Sequence, residues 1–121
     1  IWKLSKDARG CRQVQQAFDD AATDEERMTL TEELRGHVWE ALKCAHANHV
    51  MQKVISTIRP QEAQFVIDEL THRGPGGVVQ AARHRFGCRI IERVLEHCSE
   101  EQVALMVEDL LGDAVQLSLH V

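Results

Sequence analysis

One segment of the chain, RFGCRIIERVLEHC at residues 85–98, carries Cys88, Arg89 and Glu92 within five positions. On a helix with about 3.6 residues per turn, Cys88 and Glu92 lie one above the other, and Arg89 lies beside that row. A carboxylate only accepts hydrogen bonds, whereas a guanidinium is a planar cation. The sequence offers no nucleophile with a general base and an orienting partner, so this set indicates a binding surface and not an enzyme.

Two earlier segments repeat the arrangement. The five-residue motifs CRQVQ at 11–15 and NHVMQ at 48–52 can be laid over CRIIE at 88–92, and their first residues are 37 and 40 positions apart. Periods of this length are typical of helical repeat arrays, in which each unit buries its apolar face against its neighbours. Gln13 departs from the pattern, because the other two motifs have Val50 and Ile90 at that place.

The other half of each motif helix is predicted to face a core. On a wheel of roughly 100° per residue, about half the circle is filled by Phe86, Ile90, Ile91, Val94, Leu95 and Cys98. A further helix is expected after each motif helix, because apolar residues recur 17 and 19 positions after each motif start. These residues are Met28 and Leu30, Phe65 and Ile67, and Leu105 and Val107.

Caps and breakers predict the helices that position the first motif. We expect a helix over residues 1–8, a break at Arg9-Gly10, and then the motif helix. The T-x-x-E pattern that starts at Thr23 is typical of a capping box and predicts a third helix to about Arg35. Gly36 then separates this helix from the next unit.

The later units follow the same plan. In the second unit, helices are predicted over residues 37–44, 48–58 and 61–72, and Pro60 suits the first turn of the helix at 61–72. In the third unit they are predicted over residues 78–83, 85–98 and 99–111. The last of these starts at a second capping box, S-E-E-Q, and residues 73–77 form a loop. The repeats are therefore assigned to residues 1–35, 36–76 and 77–111. Residues 112–121, after a break at Gly112, are assigned to the first helix of a further repeat, as expected for an internal piece of a longer array.

The composition predicts one helical domain. The chain has 121 residues, 44% of them hydrophobic, with no Tyr and no sustained alternation that would indicate strands. No apolar run approaches the roughly 18 residues of a membrane helix and no signal-peptide pattern opens the chain, so a cytoplasmic location is expected. The four cysteines lack a C-x-x-C and are expected to be reduced thiols. No metal or other cofactor is expected, because no established zinc pattern matches the spacing of His84, Cys88, His97 and Cys98.

At GCRQVQ, ANHVMQK and FGCRIIERVLEHC the sequence resembles the recognition helices of Pumilio-type PUF repeats. The resemblance covers essentially the whole chain. It implies an all-α fold, a right-handed α-solenoid of three-helix repeats whose motif helices line a concave surface. It also implies that each repeat reads one base of single-stranded RNA with two or three side chains.

The family pattern assigns a role to three places in each motif. By resemblance, the base-edge contacts come from the first and fifth motif residues, namely Cys11 with Gln15, Asn48 with Gln52, and Cys88 with Glu92. Stacking between bases is assigned to the second residues Arg12, His49 and Arg89, whose planar groups suit it. By the family's pairing rules, Cys with Gln indicates adenine, Asn with Gln uracil, and a small residue with Glu guanine. Because the family binds RNA antiparallel to its repeats, the predicted reading is 5′-G-U-A-3′ within a longer element.

The net charge of −5 is unusual for a protein that binds nucleic acid, but its distribution is asymmetric. Twelve of the nineteen acidic residues fall in the predicted third helices: Asp24, Glu25, Glu26, Glu32, Glu33, Glu62, Asp68, Glu69, Glu100, Glu101, Glu108 and Asp109. The motif segments instead carry Arg9, Arg12, Lys53, Arg85, Arg89 and Arg93. This pattern favours RNA on the motif face and solvent on the opposite face.

The resemblance implies post-transcriptional control of messenger RNA by a monomeric protein. Its partners would be single-stranded RNA in the 3′ untranslated region and protein co-regulators. Two alternatives stay open at this point. One is a protein-binding solenoid of the armadillo or HEAT type, and the other is a PUF-like ribosome-biogenesis factor that binds structured RNA with little base specificity.

Overall fold

The computed structural model describes residues 1–73 and 76–119. Over these residues the chain is helical and has no strand, so the predicted all-α fold is confirmed. The helices are α1 (Trp2–Ser5), α2 (Ala8–Asp20), α3 (Asp24–Glu32), α4 (Val38–Lys43), α5 (Ala47–Thr57), α6 (Gln64–Thr71), α7 (Gly77–Arg83), α8 (Gly87–His97) and α9 (Glu100–Leu119). A 3₁₀ turn (Pro60–Ala63) precedes α6. None of the helices in the described ranges is long and apolar enough to cross a membrane.

The helices stack as three consecutive units. The motif helices α2, α5 and α8 lie side by side, since α2 packs on α5 and α5 packs on α8. Each of them also packs against the short helix that precedes it, α1, α4 or α7. On the other side of these short helices, α6 packs against α4 and α7, and α9 packs against α6 and α7. This layered arrangement of repeated units is the predicted α-solenoid.

The core lies between these layers. Its largest fully buried side chains include Phe18, Leu34, Leu42, Met51, Ile55, Leu70, Ile90 and Met106. Ile90, Ile91 and Val94 of α8 are buried as predicted, but Leu95 is 40% exposed. Leu105 lies on α9, the helix predicted to follow the third motif helix, but it is 67% exposed. A helical wheel identifies the apolar half of a helix, but it does not show how much of that half the neighbouring helices cover.

The break before the first motif lies earlier than predicted. Helix α1 ends at Ser5 and α2 begins at Ala8, so Arg9 and Gly10 form the first turn of α2 and not a break. The cause is Asp7, whose Oδ2 accepts hydrogen bonds from the N–H groups of Arg9 (3.1 Å) and Gly10 (2.8 Å). An aspartate at this place satisfies N–H groups that have no partner inside the helix.

A small residue directly before each motif lets the preceding short helix approach closely. A Cβ atom at Gly10 would lie 2.3 Å from the carbonyl oxygen of Leu4, and one at Gly87 would lie 2.2 Å from that of Ala81. Ala47 occupies the same place in the second unit and is 1% exposed. The tight contact fixes each short helix against its motif helix.

The predicted capping box at Ser99 is complete, whereas only the first of the two bonds of the box predicted at Thr23 is present. The N–H of Glu26 donates to Thr23 Oγ1 and the N–H of Gln102 donates to Ser99 Oγ, each at 3.2 Å. Gln102 Oε1 accepts in return from the N–H of Ser99 at 3.0 Å, whereas the carboxylate of Glu26 accepts from Ala22. Helix α3 ends at Glu32, three residues before the predicted end.

The turn at Gly36 is held by a carboxylate from the third helix of the same unit. Gly36 has a φ of +86°, a left-handed conformation that suits glycine. Glu69 of α6 accepts hydrogen bonds from the N–H groups of Gly36 (2.9 Å) and Val38 (3.2 Å). The indole of Trp39 donates to the Glu69 carbonyl oxygen at 2.7 Å. One of the twelve acids assigned to the solvent face therefore has a structural role.

The last helix differs from the prediction. Helix α9 runs through Gly112 to Leu119 without a break. Gly36 and Gly76 have positive φ, but Gly112 does not. A helical glycine costs about 0.5–1 kcal/mol relative to alanine, and no proline follows that would end the helix. The assignment of residues 112–121 to a further repeat stays a prediction. Residues 120 and 121, and residues 74 and 75 of the predicted loop, lie outside the described ranges.

Candidate nucleic-acid interface

The side chain four residues before each motif acts as a cap, because it accepts hydrogen bonds from backbone N–H groups at the start of the motif helix. In the first unit this cap is Asp7, described above. In the second unit the N–H of Ala47 donates to Cys44 Sγ at 3.3 Å. In the third, His84 Nδ1 accepts from the N–H groups of Phe86 (3.1 Å) and Gly87 (3.3 Å). Sequence analysis missed these caps because Asp, Cys and His share no pattern, although they occupy one register of the repeat.

The first residue of every motif bonds backwards to the carbonyl group three residues earlier. Cys11 Sγ donates to Ala8 O at 3.3 Å, and Cys88 Sγ donates to Arg85 O at 3.3 Å. Asn48 Nδ2 donates to Ala45 O at 3.0 Å. Cys11 and Asn48 are buried, while Cys88 is partly buried. The first residues are therefore less open to a ligand than the helical wheel alone suggests.

The fifth residues are more open. Gln15 and Gln52 are partly buried, and Glu92 is exposed. Gln52 Nε2 donates to Asn48 Oδ1 at 3.0 Å, so the two residues assigned to the second base contact each other. A carboxylate oxygen of Glu92 lies 3.7 Å from a guanidinium nitrogen of Arg93, the next residue along α8. These fifth residues present the hydrogen-bonding groups of the surface.

The three residues assigned to stacking are all exposed. In the part of the chain that the structure describes, Arg12, His49 and Arg89 make no ion pair and no side-chain hydrogen bond. Their planar groups are therefore free to lie against flat ligands.

A groove crosses the three motif helices and brings together side chains from all of them. It is lined by Gln15 of α2, by His49, Gln52, Lys53, Ser56 and Thr57 of α5, and by Arg93 of α8. Three of the predicted site residues, Gln15, His49 and Gln52, thus share one depression. Cys11, Asn48, Arg12, Cys88, Arg89 and Glu92 do not line it.

A family model described as the Pumilio-family RNA binding repeat matches residues 1–35, 43–71 and 77–111. Each match contains one motif helix and its groove residues. The chain belongs to the Pumilio family. The predicted family is therefore confirmed. The second match begins at residue 43, so it leaves out nearly all of α4.

Relatives with the Pumilio name come from fungi and plants. Pumilio homology domain family member 4 of Saccharomyces cerevisiae is 30% identical over 96 residues, which is 79% of this chain and 10% of that protein. Pumilio homolog 12 of Arabidopsis thaliana is 27% identical over 117 residues, 96% of this chain and 19% of that protein. The chain therefore spans about a tenth to a fifth of the length of these relatives.

Solved Pumilio structures share the fold. The Puf4 RNA binding domain bound to an HO endonuclease RNA 3′ UTR recognition sequence is similar with a TM-score of 0.83 and 29% identity, covering 98% of this chain and 35% of that one. The Puf3 RNA binding domain bound to site B of the Cox17 RNA 3′ UTR recognition sequence gives a TM-score of 0.82 and 31% identity, covering 90% of this chain and 30% of that one.

The cations of the Pumilio motif helices are partly neutralised. Lys53 Nζ lies 3.1 Å from Asp19 Oδ1, an ion pair that joins α5 to α2. Arg93 occupies on α8 the position that Lys53 occupies on α5. The position of Asp19 on α2 is occupied on α5 by Ser56, which has no carboxylate to pair with Arg93. Arg93 instead pairs with Glu96 of its own helix at 2.7 Å, and its Nε is buried without a hydrogen-bond partner. Arg9, Arg12 and Arg89 remain as exposed cations without ion pairs among the described residues.

The cysteines and histidines of the Pumilio repeats are not gathered into a metal-binding cluster. Within the described ranges, no group of three or more His, Cys, Asp or Glu side chains is placed to hold a metal ion. All four cysteines are free thiols, as predicted. Burial raises the pKa of the Cys98 thiol, which keeps it protonated and less reactive.

Proposed function

We propose that this chain binds single-stranded RNA across α2, α5 and α8, with one base per repeat. The observation that carries the proposal is the groove that joins Gln15, His49 and Gln52 across neighbouring repeats. The amides of Gln15 and Gln52 in this groove can pair with base edges. The exposed Arg12, His49 and Arg89 can stack between bases. The RNA complexes of Puf4 and Puf3, at 29% and 31% identity, support this choice.

The proposed reading is 5′-G-U-A-3′ within a longer element. The third repeat would select guanine, because the carboxylate of Glu92 accepts from guanine N1–H and N2–H but cannot donate to the unprotonated N1 of adenine. The second repeat, with Asn48 and Gln52, would select uracil, and the first repeat, with Cys11 and Gln15, would select adenine. In the whole protein we propose a cytoplasmic, monomeric regulator of messenger RNA that binds 3′ untranslated regions and recruits protein co-regulators.

A titration of the isotope-labelled chain with short RNAs tests this function. The RNAs are a single strand with a central G-U-A, a strand with that triplet scrambled, and a hairpin that holds the triplet in its stem. We expect the first to perturb backbone signals of the motif helices most strongly, and binding to weaken as salt rises. A response confined to α3, α6 and α9, or no response to any RNA, would contradict the proposal.

The same titration separates the open alternatives. If the scrambled strand and the hairpin bind as tightly as the G-U-A strand, the chain is a PUF-like protein that binds structured RNA with little base specificity. The family match already favours the RNA-binding repeat over a peptide-binding armadillo or HEAT solenoid. The proposal requires a lower apparent Kd for the G-U-A strand than for the scrambled strand and the hairpin.

A further inference from the structure

The two seams between neighbouring motif helices differ in charge. At the seam between α2 and α5, Lys53 Nζ lies 3.1 Å from Asp19 Oδ1, so a carboxylate of one repeat neutralises a cation of the next. At the seam between α5 and α8, Arg93 has the position of Lys53, but Ser56 has the position of Asp19. Both pairs of helices pack directly on each other. The α5–α8 seam therefore has the cation without the carboxylate of the neighbouring repeat.

Arg93 keeps an unsatisfied donor at this seam. Its ion pairs are with Glu96 at 2.7 Å and Glu92 at 3.7 Å, and both of these carboxylates are exposed on α8 itself. Its Nε is buried and has no hydrogen-bond partner among the described residues. Exposed ion pairs within one helix contribute little, whereas a buried donor without an acceptor is unfavourable. An acceptor that enters the seam would therefore gain a hydrogen bond from this guanidinium.

The groove that contains the seam suits an anion. It is lined by Gln15, His49, Gln52, Lys53, Ser56, Thr57 and Arg93, so none of its described lining residues is acidic. The Ser56 hydroxyl donates to the carbonyl oxygen of Gln52 at 2.9 Å and brings no charge. The groove has a volume of about 250 Å³, against roughly 30 Å³ for a water molecule, so a small oxyanion fits.

We propose that the α5–α8 seam binds a phosphate group at Arg93, in the place that the Asp19 carboxylate fills at the α2–α5 seam. Phosphate oxygens accept hydrogen bonds from guanidinium N–H groups as carboxylate oxygens do. The α2–α5 seam does not bind phosphate, because Asp19 already pairs with Lys53 and repels a second anion. The phosphate comes from the RNA backbone or is free phosphate. Only the backbone source rests on the proposed RNA binding.

Titration with inorganic phosphate tests the site without RNA. NMR of the labelled chain follows the Nε–Hε signal of Arg93 and the Cε signal of Lys53. We expect phosphate to shift the Arg93 signal and to leave the Lys53 signal in place. Ser56→Asp supplies a carboxylate at the α5–α8 seam, so phosphate should no longer shift Arg93. Asp19→Ser removes the carboxylate of the other seam, so Lys53 should then respond to phosphate.

Two matched controls separate the site from net charge. Thr29→Asp and Asp20→Ser make the same changes of charge at exposed positions outside the groove, so both should keep the original response. The inference is overturned if phosphate fails to shift Arg93 in the original chain, or shifts it equally in Ser56→Asp. Urea unfolding checks that each variant is folded. If Ser56→Asp does not fold, the response of Lys53 in Asp19→Ser decides the question.

The salt dependence of RNA binding identifies the source of the phosphate. For a single strand, the slope of log K against log salt concentration changes by about 0.7 for each phosphate contact. With the RNA backbone in the seam, Ser56→Asp should reduce the slope by about this amount relative to Thr29→Asp. Asp19→Ser should increase it by about the same amount relative to Asp20→Ser.

The two measurements fail independently. Unchanged slopes with an intact response of Arg93 to inorganic phosphate would assign the site to free phosphate and exclude the RNA backbone. Absence of RNA binding by every protein, with that response intact, would contradict the proposed function and support the phosphate site. Loss of the response of Arg93 in the original chain would overturn the phosphate site, whatever the RNA measurements show.

Discussion

At the scale of single residues, the three places of each motif differ in accessibility. The first residues bond to their own helix, the fifth residues face the groove or solvent, and the second residues are exposed. This gradient agrees with a surface in which planar side chains lie between bases and hydrogen-bonding groups meet base edges. Stacking discriminates little between bases, because every base has a π-face.

Loss of a stacking side chain should weaken binding without changing base preference. We expect His49→Ala, Arg12→Ala and Arg89→Ala each to reduce affinity by about 1–3 kcal/mol for every RNA tested. Fluorescence anisotropy against strands that vary one base at a time gives this measurement. His72→Ala is the matched control, because His72 is exposed near the end of α6 and outside the groove. A switch in preferred base would mean that the stacking assignment is wrong.

At the scale of helices, the motif helices depend on their N-terminal caps. His84 is the least expected of the three caps, because its Nδ1 must be unprotonated to accept from Phe86 and Gly87. The cap fixes the first turn of α8, and that turn carries Cys88 and Arg89. Loss of the cap would therefore displace Cys88 and Arg89 of the third repeat.

Substitution of this cap should lower stability in a way that depends on the acceptor. His84→Ala should reduce the free energy of unfolding by about 1 kcal/mol, while His84→Asp should retain most of it, because a carboxylate can accept the same bonds. The urea midpoint at constant slope reports the change. His97→Ala, at an exposed site on α8, should change stability by less than about 0.5 kcal/mol. Equal losses in the Ala and Asp variants would contradict the capping role.

The sequence predicts the helices well where local chemistry decides them. Caps, breakers and periodicity predict the helix starts near Thr23 and Ser99. They also predict α4, α5, α7 and α8, with bounds that agree with the structure to within a few residues. Two predicted breaks are wrong. The first lies near Asp7 and not at Arg9-Gly10, and α9 has no break at Gly112, since glycine is compatible with both helix and turn.

The sequence predicts which positions of the repeats are equivalent in the site, but it does not predict which side chains contact each other. Repetition alone places Cys11, Asn48 and Cys88 on equivalent turns. Three contacts of the site depend on packing and on side-chain rotamers. They are the hydrogen bond from Gln52 to Asn48, the bond of Glu69 to the turn at Gly36, and the ion pair of Lys53 with Asp19. No helical pattern contains that information.

At the scale of the whole molecule, three repeats give only a small surface for the proposed RNA binding. Stacking contributes about 1–3 kcal/mol per base, and association costs about 4–15 kcal/mol. Three bases therefore yield modest affinity, so base preference is best measured as a ratio between competing RNAs. The ratio is informative because the proposed binding gives each base one repeat, so a change at one fifth residue should alter one position of the RNA.

The most direct test of base reading is the substitution Glu92→Gln. The measurement is a competition between strands that contain G-U-A and A-U-A, carried out with the original chain and with the variant. The original should prefer guanine, and Gln should shift preference toward adenine by about 1–3 kcal/mol, because its amide can donate to adenine N1. Preference at the U and A positions should not change. Equal preference in both proteins would contradict the account, because Glu92 would then be a solvated side chain that reads no base.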